Sequence, residues 1–176
     1  MMHRRMKSRL LASALAAVLA PAAVLATVAT PVNAEAATVK KANCQAHVVF
    51  VSKDGDGSIP AELMFLEEQL KDDQFAAYKS FRLMEQKELK LSLGKASEVK
   101  FSSENRLRLS LLGNDDKHLK LHAELTGRDG KKMLNTDYSI EDAGVLMIVA
   151  GKVTHEIDGK QVDGKKVFAI QCARSG

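Results

Sequence analysis

The chain has 176 residues, with 26 Lys and Arg against 22 Asp and Glu and 45% apolar residues, the balance of an ordinary globular protein. It has no Trp and 5% aromatic residues, which argues against stacking platforms for sugars or single-stranded nucleic acid. The whole positive surplus comes from Arg4, Arg5, Lys7 and Arg9, which leaves 22 basic and 22 acidic residues after position 34, so the net charge does not argue for nucleic-acid binding.

Residues 1–34 read as a secretory signal peptide. A basic start precedes the apolar run Leu10–Ala20, Pro21 breaks that run, and Val32 and Ala34 occupy the −3 and −1 positions of a small-residue cleavage site. A membrane anchor is the competing reading, and the weaker one, because the run is Ala-rich, broken by Pro21 and short of about 20 strongly apolar residues; no later stretch of the sequence is apolar enough to span a bilayer. The expectation is export to the periplasm or the exterior, with cleavage near Ala34. Residues 35–42 read as a flexible lead-in, and 43–176 as one globular domain.

"CQAHVVFVSK" (44–53) is β-branched and nearly continuous in apolar residues, the pattern of a buried central strand. "DGDGS" then interrupts it. Read as a calcium loop beginning at Asp54, that stretch has Ile59 where Gly is required and Phe65 where the bidentate Glu is required, so a turn is the better reading. Ile59, Leu63, Leu66 and Leu70 follow in steps of four, three and four, which predicts a helix over 59–72 with Ser58 as its N-cap. From there the period becomes two. Leu89, Leu91 and Leu93 share one face, as do Val99 and Phe101, then Leu107, Leu109 and Leu111, then Leu119, Leu121, Ala123 and Leu125. "GNDDK" and "GRDGKK" punctuate these strands, and "MLNTDYSI" reads as another. "AGVLMIVAGKV" is apolar on both faces and predicts a second central strand. Asp158-Gly159 and Asp163-Gly164 read as turns before the last strand, "KVFAIQCAR". The fold class expected is α+β: a mainly antiparallel β-sheet or sandwich with one packed α-helix near the N-terminus of the mature chain.

Cys44 and Cys172 lie on the first and last strands. An even cysteine count in an exported chain favours a disulfide, here enclosing 127 residues. Neither cysteine has the neighbours of a catalytic thiol. His118 and His122 frame "HLKLH", but the leucine alternation there says strand. Four residues of strand span about 13 Å, too far for one metal. No nucleophile elbow, P-loop, dinucleotide fingerprint or zinc-protease motif occurs. No cofactor or metal is expected, and a non-catalytic role is favoured over an enzyme with a site assembled from distant residues. If the period-two strands pair, their polar side gathers Lys90, Lys100, Arg106, Arg108, Lys120, His118 and His122. That set is a candidate basic face for an envelope protein or an anionic surface; an ordinary solvated face is the competing reading.

The run of "AELMFLEEQL", "FAAYKSFRLMEQKELKLSLG", "ENRLRLSLLG", "KKMLNTDYSI", "GVLMIVAG" and "KVFAIQC" resembles a loose group of small exported bacterial proteins of myxobacterial type that carry signal peptides. "GVLMIVAG" is also similar to the strand pattern of secretin pore proteins, although this chain lacks a secretin's length. The first resemblance implies the α+β architecture and an envelope location, and brings no activity and no site residues. Together these readings lead to an exported, non-catalytic interaction module that binds through a sheet edge or the basic face. The alternatives are a carrier of a small apolar ligand and a hydrolase-type enzyme.

Overall fold

The computed structural model describes residues 39–175; the expected signal segment and positions 35–38 of the lead-in lie outside the described residues. Among the described residues eight strands run β1 (Lys41–Ser52), β2 (Ser80–Ser92), β3 (Ala96–Lys100), β4 (Arg106–Asn114), β5 (His118–Thr126), β6 (Lys132–Glu141), β7 (Val145–Ile157) and β8 (Lys160–Ser175). They form two four-stranded antiparallel sheets, ordered β2-β1-β8-β7 and β3-β4-β5-β6. Within each sheet consecutive strands pair, the chain changes sheet after β2 and after β6, and β8 returns to pair with β1, so the chain is an up-and-down meander flattened into a sandwich. This is a mixed α+β fold dominated by antiparallel sheet with one short packed helix, as the sequence predicts.

The leucine alternation builds the space between the sheets. Leu107, Leu109 and Leu111 of β4 and Leu119, Leu121 and Leu125 of β5 meet Ala46 and Val48 of β1 and Phe168 and Ile170 of β8 in one buried cluster. Cys44 and Cys172 face each other directly across the β1–β8 ladder, 4.1 Å apart at Cα, and are joined by a disulfide inside that cluster. The bridge therefore closes the seam where the first and last strands meet.

A second core lies on the outer side of the first sheet. There Val49, Val51, Phe81, Val167 and Ala169 pack under Leu63, Leu66, Leu70 and Phe75. This double coverage explains why β1 is apolar on both faces. Val48 pairs with Glu85 but Val49 pairs with Leu83, so Met84 is an extra residue in β2. The bulge inverts the facing of that strand. Phe81 and Leu83 face the helical cover, whereas Leu89 and Leu91, also at odd positions, face the other sheet.

Four local expectations need correction. The helix is a 3-10 segment, Ala61–Leu66, followed by one α turn, α1 (Glu67–Leu70), and its N-cap is Pro60. Ser58 is engaged elsewhere: its N–H and hydroxyl donate to Asp56 Oδ1 at 2.8 and 2.6 Å, and these bonds hold the Asp56 carboxyl below its ordinary pKa. Lys79 N–H donates to Ser52 O and Gly57 N–H to Lys79 O, so both ends of the connection are tied to one corner and a longer helix has no room to run. The part of the lead-in that is described is ordered: Val39 N–H donates to Asn114 Oδ1 at 2.7 Å, and Lys41 and Ala42 already belong to β1. The "AGVLMIVAGKV" strand is an edge, not a centre. Leu146 and Ile148 pack on the inter-sheet core and Val145 and Met147 on the outer one, so both faces are covered while one ladder side has no strand beside it among the described residues. Finally, Asp158-Gly159 is a hairpin turn with positive φ at both residues, but Asp163-Gly164 lies inside β8. Gly164 is there for space: a Cβ would stand 2.4 Å from Val51 O and 2.5 Å from the Phe50 ring.

His47 belongs to the second core. It is 3% exposed, its ring centroid lies 4.5 Å from that of Phe65, and its Nδ1 has no partner among the described residues. Burial lowers its pKa, and a bond to the Ala169 backbone only partly offsets this. The folded state therefore binds that proton less readily than the unfolded chain. Stability is full above the unfolded value of about 6.5 and falls as pH drops toward the folded pKa, by at most about 1.4 kcal/mol per pH unit. The depressed carboxylates Asp56, Glu85 and Asp115 act only at lower pH. Urea midpoints at about pH 7 and pH 5 should show a smaller acid loss in His47→Phe than in the wild type; parallel losses would assign the effect to other groups.

Candidate functional site

The sandwich is filled at its centre but open at one end, where three elements diverge. β7 carries a bulge between Val149 and Gly151, and beyond it the β7–β8 hairpin curls over the inner side of the first sheet. Two contacts show the curl. The His155 ring lies 5.6 Å from the Phe50 ring, and Asp158 at the hairpin tip is 3.9 Å from Arg82 of β2, a strand at the opposite edge of the same sheet. From the other sheet, the β3–β4 turn reaches in. Its tight form puts Glu104 at φ 63°, and Ser102 N–H and Oγ donate to Glu85 Oε2 at 2.8 and 2.6 Å.

These elements enclose a pocket of about 350 Å³. Val48, Phe50, Met84 and Val153 supply its apolar wall, and Glu85, Ser102, Ser103, Thr154, His155 and Lys166 its polar groups. A mixed lining of this size at a barrel-like mouth suits a small ligand with one apolar and one polar end. A wider trough of about 850 Å³ between the Asp54–Ser58 turn, β2 and the hairpin tip also has apolar lining, from Phe81, Leu83, Met84 and Ile157, but it is more open and its lining is mostly polar.

The charges inside the mouth are unequal in their partners. Burial pushes the Glu85 carboxyl upward, but the Ser102 bonds and Lys87, 3.1 Å away, outweigh it and leave its pKa below the ordinary value. Lys166 is different. It stands opposite Phe50 in β1 and Gly151 in β7, in phase with the inward-facing Phe168 and Ile170. Among the described residues no carboxylate lies within 4 Å of its ammonium; burial lowers its pKa and the more distant Glu85 restores only part. A half-buried cation whose neighbouring carboxylate is already engaged by Ser102 and Lys87 is a donor left over for a ligand, and an arriving anion would oppose its shift.

The residues of the expected basic face are distributed as follows. Lys100, Arg106, Arg108, His118, Lys120 and His122 all lie on the outer side of the second sheet, but Lys90 lies on the other sheet, opposite Asn43. Cross-strand neighbours bring acids among them. Arg108 has Glu98 on one side and Glu124 on the other, His118 bonds Asp115 at 3.1 Å, and His122 bonds Asp137 at 2.6 Å. Two hydrogen bonds from the backbone N–H groups of His118 and Lys117 hold the Asp115 carboxyl at about 2. The face is therefore striped in charge, with its basic excess in the row Lys100–Arg106 at one end.

The site and fold together describe a disulfide-closed β-sandwich with a single-ended mouth. No protein-family model, curated protein or solved structure matches the chain. Among the described residues no helix is long and apolar enough to cross a membrane.

Proposed function

We propose that the chain is an exported, non-catalytic binding module of the bacterial cell envelope that takes a small amphipathic anion, such as an alkyl carboxylate, into the mouth between its sheets. Lys166 carries this reading: a lysine at an inward-facing position, beside an apolar wall, with no ion-pair partner within 4 Å among the described residues. The envelope location rests on the signal-type N-terminus and on the resemblance to small exported proteins.

Calorimetric titration with decanoate, with decanol as the neutral control, tests it. The wild type should prefer decanoate, and Lys166→Met should lose that preference, with decanoate affinity falling about tenfold or more while decanol is unaffected. Equal affinity for both compounds, or a Lys166→Met variant that still prefers the carboxylate, would remove the proposal. A second reading places an extended segment of an envelope protein along the edge of β7. It is supported by Val149, 45% exposed on an edge that has no strand beside it among the described residues, with no charge from Val145 to Gly151. Binding of that kind would be indifferent to Lys166.

A further inference from the structure

Consecutive lysines in the first half of β8, Lys165 and Lys166, serve opposite sides of one sheet. Lys166 faces the mouth, whereas Lys165 shares the outward side with Val167 and Ala169. Its cross-strand partner on β7 is Lys152. Like charges directly opposite on antiparallel strands oppose pairing. Lys53, just past the end of β1, lines the same groove of about 660 Å³, with Tyr78 as a wall; the Lys165 ammonium lies 5.6 Å from the Tyr78 ring centroid. Among the described residues none of the three lysines has an ion-pair partner within 4 Å. Two carboxylates also line the groove, Asp54 and Asp163, and Asp163 Oδ1 already accepts the Thr154 hydroxyl at 2.7 Å.

We infer that this groove is a phosphate-binding site; Val153 and Thr154 line both it and the mouth, but its lysines lie on the opposite side of the sheet from Lys166. A tetrahedral oxyanion offers several oxygens to separate ammonium groups, and lysine meets phosphate as a point charge without the planar fork that carboxylates favour in arginine. Such a ligand would also relieve the Lys152–Lys165 repulsion, so binding and stability are coupled. The same chemistry fits free phosphate and a phosphorylated lipid headgroup.

The test uses the oxidised protein with two probes, inorganic phosphate and phosphatidylglycerol vesicles, each against chloride at matched ionic strength. Phosphate should raise the melting temperature beyond the chloride control and bind saturably. Lys152→Gln should weaken it about tenfold without lowering the melting temperature in chloride, since a repulsion is removed. Lys152→Arg should retain binding. Lys166→Met should bind phosphate as the wild type does, which separates this site from the mouth. Binding of vesicles as well as phosphate would assign the site to headgroups, and binding of phosphate alone to the free ion. The inference is overturned if phosphate acts no differently from chloride, or if Lys152→Gln keeps wild-type affinity.

Discussion

Replacing both cysteines, as Cys44→Ala with Cys172→Ala, should lower the unfolding free energy by about 2–4 kcal/mol, with about 5 kcal/mol as the ceiling for a loop of this length. The bridge spans 128 positions of sequence, so nearly the whole folded unit lies within the loop it closes. In the chain-entropy description, such a loop restricts the unfolded ensemble strongly because its ends are otherwise far apart. The native contribution is local: both residues are buried, face one another in register, and sit between the sheets at the β1–β8 seam. Replacing both avoids leaving a lone buried thiol, so the loss reports the bond. Urea unfolding of the oxidised wild type, the reduced wild type and the double variant should give similar losses for the last two. A double variant within about 0.5 kcal/mol of the oxidised protein, the scale of a neutral surface change, would show that the seam holds without its bond.

Phe168→Ala should cost about 3–5 kcal/mol. Phe168 is fully buried on β8, its ring centroid lies 5.2 Å from that of Phe101, just past β3 of the other sheet, and its strand neighbours are Val48 and Ile148. Truncation removes a large apolar surface from water and leaves a space between two sheets whose spacing is fixed by leucines on either side. Leu112→Ala is the matched control: Leu112 is 50% exposed, so its loss should stay within about 0.5 kcal/mol. Similar costs for the two variants would contradict the packing described for the inter-sheet core.

Where one period governs a strand, sequence reading places it well. β4 and β5 follow from leucines at every second position, because each has one buried and one solvated face and no irregularity inside the buried stretch. The disulfide was legible from the even cysteine count and strand phase. Reading fails where coverage and pairing come apart. β7 is apolar on both faces, as a central strand would be, yet its coverage comes from the helical segment and the opposite sheet, while centrality depends on the hydrogen-bonding direction. The helix was overextended because apolar spacing says nothing of the corner that ties Gly57, Lys79 and Ser52 together.

The mouth was half visible. Lys166 occupies a position in phase with Phe168, Ile170 and Cys172, and a charge at an inward position is a signal in its own right. Glu85 was hidden by the bulge at Met84, which inverts the facing of β2, and Ser102 by a turn whose reach depends on the opposite sheet. The basic face was legible residue by residue, but the register that sets Glu98 and Glu124 beside Arg108 was not.

The most direct test of a ligand-binding mouth is a titration of isotope-labelled, oxidised protein with decanoate, followed by nuclear magnetic resonance. Saturable shifts should gather at Val48, Met84, Ser102, Val153 and Lys166, leaving the outer side of β3–β6 unmoved. Shifts that saturate only on that outer side, or no saturable shift at the mouth, would contradict the assignment.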